Sequence, residues 1–512
     1  MSVKIKTSVR KFILPLYLSG IGISTAATSV DAQLSEISGR RYQGNVQAES
    51  DILRAIPEQL KADNYLPEDR QIIVCDRSSA RVPTDILHAL TISQAIDIAV
   101  CRNPQIQLAW GMIKEQAASV GEARAARYPT VSLSAGHTND DTQYGGTNNP
   151  TTALHSNTLS ATLNWRLWDA GASAARERAV NAQFSAALAG HDAELQRVIN
   201  TVVANYFDAQ YAHAEWLAKI KAEDIARQTL TSSQRRAASG LDSLTDTLQA
   251  TSVLAKVLLE KERALGNYRK AMSILTYNLG LSLAYSDNIE DSVGLDEVVV
   301  PSIEKSVSLR KNLADWLDVA ESHHPSLVMA RAKLVAAQEK VKLTVAEGLP
   351  SLDLSANYYQ NGRPNQGLSP TTSRERIVQL SITFPLFEGF SRKYKIQGAN
   401  AQVSQREAEL RDAELQVSME VIKAYSDTIS ALNNLVAAQT LLQSTQNSLL
   451  SVQRKYERNV NDIQQLLTVQ NMLAEAELER IRCDAEWKSA RLRLIASAGR
   501  FGYKELKMIV PN

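Results

Sequence analysis

Cysteine is scarce in this chain. Three occur in 512 residues, Cys75, Cys101 and Cys483, which excludes a disulfide-framed fold and any cysteine-rich metal site. Charge of one sign is scarce too: the net charge is +1, so neither nucleic acid nor a strongly acidic partner is implied. Proline is missing altogether between residues 151 and 300, a stretch that can hold helices far beyond the usual length. The punctuation of catalysis is also absent. No Gly-rich phosphate loop follows a strand, no spacing suits a metal and no nucleophile elbow occurs, so the sequence points to no enzyme, no cofactor and no metal. His323 and His324 precede Pro325 at a helix start, where neighbouring residues point to different faces and make a poor ligand pair. Asp140 and Asp141 fall in a polar stretch that reads as a solvated loop.

Long hydrophobic runs are lacking as well. The apolar "FILPLYLSGIGIS" is too short for a membrane helix, but Lys4, Lys6, Arg10 and Lys11 precede it and "VDA" follows. That pattern is a secretory signal, residues 1–32, with cleavage expected after Ala32. Gln33 follows the site rather than a cysteine, so no lipid anchor is indicated.

What is present is alternation. In "LSATLNWRLWDAG" (159–171), Leu159, Ala161, Leu163, Trp165 and Leu167 share one face and Ser160, Thr162, Asn164 and Arg166 the other, the period of a strand between an apolar medium and water. "YPTVSLSAG" (128–136) alternates likewise after a strand-starting proline. Together they predict a hairpin, 128–168, around the polar loop "HTNDDTQYGGTNNPTTALHSN". The arrangement recurs about 220 residues later. "LPSLDLSANYY" and "VQLSITFPLFEGF" predict a second hairpin, 350–387; "NPQIQLA" matches "HPSLVMA", "VVANYFD" matches "VIKAYSD", and Gly280 falls opposite Gly499. The chain reads as a tandem duplication, 90–300 and 301–512, after an N-terminal extension, 33–89.

Each unit also carries long helices. Dense Ala, Glu, Gln, Arg and Leu predict helices over 172–239 and 391–458, each about 100 Å long, with coiled-coil spacing at Leu195, Ile199, Val202, Tyr206, Ala209, His213, Trp216 and Ile220. Breaks at "RRAASGLDSLTD" and "RKYERNVNDIQQ" lead to return helices over 241–279 and 460–498. Gly240 and Asn459 match there, and both accept a left-handed backbone. A helix over about Thr91–Arg127 supplies the length that the return helix lacks. Four strands of bilayer-crossing length cannot close a barrel, so several chains must share one. Trp165, Trp168, Phe384 and Phe387 sit at strand ends, where aromatic girdles lie.

With its duplicated "YPTVSLSAG", "FPLFEG" and "SGLDSLTD" elements, the chain resembles the TolC family, the outer membrane factors of Gram-negative drug efflux pumps and type I secretion systems, over roughly 88–505. The resemblance implies a mainly α fold with a membrane β-barrel: a homotrimer with a 12-strand barrel in the outer membrane, continuous with a periplasmic helical tunnel. It implies a periplasmic adaptor (membrane fusion) protein, an inner-membrane transporter of ABC, RND or similar type, and contact with outer membrane lipid. Its cargo would be small molecules or secreted polypeptides. It further implies that Asp246 and Tyr456 belong to a hydrogen-bonded latch closing the tunnel entrance. Asn461 stands where some members have an arginine completing that latch, and Gln465 and Thr468 where some have constricting aspartates; Asp462 is a nearby acid. Arg166 replaces the proline usual in the family.

Arg235, Gly240, Leu241, Leu244, Arg454, Asn459, Val460 and Ile463 are the candidates for helix-tip contact with the adaptor, although Arg235 and Arg454, with Arg236, also suit the simpler role of helix C-terminal charges. Cys75 and Cys101 are expected to form a disulfide closing about 26 residues, contributing about 3 kcal/mol, and stapling an extension that wraps the tunnel. Cys483 reads as a small core residue. The competing expectation, from long antiparallel helices alone, is a periplasmic coiled-coil scaffold or adaptor with its hairpins packed as a soluble sheet.

Overall fold

The computed structural model describes residues 90–142, 152–239, 243–281, 312–361, 372–458 and 463–499. The signal segment 1–32 and the extension 33–89, Cys75 included, lie outside them. Among the described residues the first repeat holds helices α1 (Ile92–Arg102) and α2 (Pro104–Ala125), strands β1 (Thr130–Thr142) and β2 (Thr152–Trp168), the long helix α3 (Ala172–Ala238) and the return helix α4 (Leu244–Asn278). The second holds α5 (Leu313–His323), α6 (Pro325–Ala346), β3 (Ser351–Gln360), β4 (Arg374–Thr383), α7 (Ser391–Glu457) and α8 (Ile463–Ser497). Helix lengths of 11, 22, 67 and 35 residues recur identically in both halves, which argues for duplication more strongly than the scattered sequence matches.

The expected single helix over Thr91–Arg127 is two helices. Pro104 crowds the residue before it, and Asn103 is driven to φ −62°, ψ 124°, an extended conformation that ends α1. His324, before Pro325, takes φ −64°, ψ 124° at the same place in the second repeat. Each residue then caps the next helix: Asn103 Oδ1 accepts from Gln105 N–H at 2.9 Å, and His324 Nδ1 accepts from Ser326 N–H at 3.3 Å. The return helices end against these elbows. Asn103 Nδ2 donates to Asn278 O at 2.9 Å. Gly280 approaches so closely that a Cβ would lie 2.5 Å from Arg102 O, and Gly499 so closely that one would lie 2.9 Å from His324 Cα. Both glycines have φ above +70°, a conformation costly for any residue with a Cβ. Thus α2 and α4 stand end to end along α3, and 22 plus 35 residues nearly match its 67.

The long helices pack side by side, α3 on α4, α2 and α6, and α7 on α8 and α6. The largest apolar cluster joins α1, α3, α4 and the end of α8 through Ile92, Tyr206, Phe207, Met272, Leu275 and Leu492. Tyr206 is fully buried, and its hydroxyl donates to Leu90 O at 2.8 Å, so the core carries no unsatisfied phenol there. Arg178 of α3 meets Glu339 of α6 at 2.8 Å, an ion pair between the repeats.

Both hairpins differ in extent from the sequence expectation. The polar stretch 137–157, read as a loop, is strand to Thr142 and again from Thr152. A ladder needs backbone partners, not apolar side chains; here His137 and Asn157 bond across the ribbon at 2.8 Å, and threonine suits the extended backbone. In the second hairpin β4 starts earlier than expected, at Arg374, and stops at Thr383, ahead of Pro385, which has no N–H for a ladder. At the matching place of the first repeat stands Arg166, and β2 runs on to Trp168.

Candidate functional site

The four strands form one antiparallel sheet in the order β1-β2-β3-β4. Its register stacks like on like. Val131 faces Leu163, Leu133 faces Ala161 and Ala135 faces Leu159; Trp165 faces Leu354; Leu354 faces Leu380 and Leu352 faces Ile382. One face is therefore apolar from the helix end to Val378, with Arg376, Gln360 and Arg374 beyond, and the other, with Ser132, Thr162, Ser355 and Gln379, is polar. No core covers the apolar face: Val131 is 72 %, Leu133 73 %, Val378 77 % and Ile382 75 % exposed. A contiguous apolar surface of this kind marks an interaction or membrane face rather than a soluble exterior. Trp165, Trp168, Phe384 and Phe387 are all exposed at the helix end of the sheet, and the Trp165 indole donates to Arg127 O at 2.9 Å. No described helix is long and apolar enough to cross a membrane.

At the other end of the long helices lie the breaks. Ser243 N-caps α4 in a capping box: its hydroxyl accepts from Asp246 N–H at 3.2 Å and its own N–H donates to Asp246 Oδ2 at 2.8 Å. One oxygen of the carboxylate expected to hold Tyr456 is thus engaged at its own helix start. That bond forms locally, because residues three apart at a helix start meet without any loop closure. Tyr456 is buried in a small cluster with Ala250, Ile463, Leu466 and Leu467. The Arg236 guanidinium stands 4.7 Å from its ring centroid, a cation–π distance.

The remaining candidates divide by exposure. Ile463 is 2 % and Leu244 75 % exposed, so the first is core and the second free for contact. Arg235, Arg454, Gln465 and Thr468 are exposed, and Thr468 Oγ1 donates within its own helix to Gln464 O at 2.7 Å. Gly240, Leu241, Asn459, Val460, Asn461 and Asp462 lie outside the described residues. Cys483 is a free, buried thiol. Ser243 was missed as a break residue, and Arg236 was read only as a helix C-terminal charge. "SLTD" carries the capping-box signature openly, but the partner of Arg236 has no sequence signal, since its contact with Tyr456 spans two repeats. Arg166 also pairs across repeats, with Asp353 at 2.8 Å, directly opposite it in the β2–β3 register.

A duplicated frame of paired long helices carrying a sheet with a bare apolar face defines a membrane channel protein. A family model described as Outer membrane efflux protein matches residues 95–281 and 316–500, and the chain belongs to that family: it is an outer membrane efflux channel with a large periplasmic helical part. It is 33 % identical over 420 residues to Protein CyaE of Bordetella pertussis (strain Tohama I / ATCC BAA-589 / NCTC 13251), covering 82 % of this chain and 86 % of that protein. It is 20 % identical over 408 residues to Nodulation protein T of Rhizobium leguminosarum bv. trifolii, covering 77 % and 82 %. Among solved structures its fold is similar to the outer membrane protein VceC from Vibrio cholerae, with TM-score 0.67 at 18 % identity over 80 % of this chain and 96 % of that one. The CmeC outer membrane channel of Campylobacter jejuni gives 0.66 at 17 % identity over 82 % and 89 %.

Proposed function

We propose that three copies of the chain close one 12-strand barrel in the outer membrane, with the polar sheet face lining the lumen, and that the long helices continue it as a periplasmic tunnel. One observation carries this reading: a four-stranded sheet with an uncovered apolar face and open edges at β1 and β4. In a bilayer every strand edge must be paired, four strands are half of the smallest barrel, and a three-fold ring of such sheets pairs β1 of each copy antiparallel with β4 of the next. The channel performs no chemistry of its own. It completes an export system in which an inner-membrane transporter, of ABC, RND or similar type, supplies energy and a periplasmic adaptor docks at the helix breaks around Leu244, passing small molecules or type I secreted polypeptides outward. The scaffold reading is disfavoured by the sheet, because a soluble protein would cover that apolar face.

Fractionation tests this: a heat-modifiable trimer in the outer membrane that conducts in planar bilayers is expected, and a monomer in the soluble periplasmic fraction would overturn it. We also propose a staple between Cys75 and Cys101, supported by Cys101 being disulfide-bonded. Labelling all three thiols in oxidised, denatured protein would exclude it.

A further inference from the structure

The four-strand part of the sheet carries few charges on its polar face. Arg166 and Asp353 stand near the helix end and Glu375 at the opposite end, while the positions between, among them Ser132, Thr162, Asn164, Ser355, Asn357 and Ser381, are neutral. Arg166 Nε donates to Asp353 Oδ1 at 2.8 Å, and Ser351 Oγ donates to Asp353 Oδ2 at 3.0 Å. Both oxygens of the carboxylate are therefore held, one of them by a full positive charge. The pair remains wet, with side chains 55 % and 31 % exposed, so its charges act on the aqueous space before the polar face. Just beyond it β2 carries a register shift between Arg166 and Trp168, where the wall turns from strand to helix.

We propose that the Arg166–Asp353 pair neutralises the mouth of the barrel: each Arg166 cancels a carboxylate that would otherwise complete an acidic ring where cargo passes from tunnel to barrel. The proposal rests on the trimeric barrel reading above. Twelve strands about 4.8 Å apart, tilted by about 40°, enclose a wall about 24 Å across, so the three pairs stand within about 20 Å of one another. Rings of charged side chains at such spacing set ion preference in pores. The Debye length, about 30 Å at 0.01 M salt and about 3 Å at 1 M, makes the ring act as one field at low salt and as isolated charges at high salt. The pair thus selects against charge discrimination, which suits a conduit whose specificity lies in its transporter.

Reversal potentials under a KCl gradient across planar bilayers test it, using the purified full-length channel near 0.01 M mean salt. Arg166→Gln, which bares the three carboxylates, is expected to raise the K⁺/Cl⁻ permeability ratio by about twofold or more. Asp353→Asn should lower it by a similar factor, and the exchange Arg166→Asp/Asp353→Arg should restore the parent ratio. All shifts should vanish at 1 M KCl. Two single variants that keep the parent ratio at low salt would overturn the proposal and leave the pair a staple between β2 and β3. So would shifts that persist at 1 M, since those report altered pore shape. A parent that is no heat-modifiable trimer in the outer membrane fails the trimeric barrel itself, and this proposal with it; a conducting parent with unshifted variants fails this proposal alone.

Discussion

Removing the Ser243 cap tests what Asp246 does at the tunnel entrance. Ser243 and Asp246 satisfy each other's backbone N–H groups at 3.2 and 2.8 Å, and losing such a cap costs about 1 kcal/mol. That is a factor of about five in the population of a frayed α4 start, per protomer. If the three starts of a trimer loosen together, the factor reaches about 150. Opening frequency of single channels in planar bilayers, with helix content as the control, is the assay. Ser243→Ala and Asp246→Ala should each raise opening, and the double variant should do no more than either alone, because each single change already breaks the box. Tyr456→Ala, which removes the packed ring and its contact with Arg236 at 4.7 Å, should add to Asp246→Ala independently. The reasoning is refuted if Ser243→Ala is silent while Asp246→Ala and Tyr456→Phe both open the channel and are non-additive. That outcome would mean the carboxylate acts on the phenol, across protomers, after all.

Two further predictions concern pH. Burial lowers the pKa of His324, and its Nδ1 must be unprotonated to accept from Ser326 N–H. The unfolded chain then binds the proton more readily, so stability is full above the ordinary histidine value of about 6.5 and falls as pH drops through it. His324→Asn, which copies Asn103 of the first repeat, should flatten thermal stability between pH 7.5 and pH 5; an unchanged slope would rule out this residue as its cause. Glu339 has its pKa held down by the hydrogen bond from Lys342 and the contact with Arg178, against burial. Its contribution is present above the ordinary carboxylate value of about 4.3 and lost as pH falls through the lowered one. Glu339→Gln should therefore destabilise the channel at neutral pH and narrow the gap to the parent in acid unfolding, whereas a constant gap across pH would show that only packing was lost.

Much of this architecture was legible in the residues because its signals are periodic and local. Alternation in "LSATLNWRLW" separates the two sheet faces whatever surrounds it, and a strand cannot turn Leu163 outward without turning Thr162 inward. The absence of proline over 151–300 and the run of helix formers from Ala172 commit the chain to a helix too long for an ordinary domain, and duplication follows from comparing the chain with itself. Pro325 was read as a helix start, yet the equally visible Pro104 was passed over, because a helix-forming flank masked the steric restriction on Asn103. The strand ends were missed for the opposite reason: the ladder between 136–142 and 152–158 is made by backbone, and polar side chains carry no period to reveal it. Only the tertiary structure decided the partners of single charged or aromatic groups. The bond between Ser243 and Asp246 closes three residues and was there to be read in "SLTD", but Tyr456 under Arg236, Arg178 on Glu339 and Arg166 on Asp353 join residues 161 to 220 positions apart. Nothing in a linear sequence ranks such pairings; they are fixed when two copies of one repeat are laid side by side, and it is there that the wall of the channel acquires its charge.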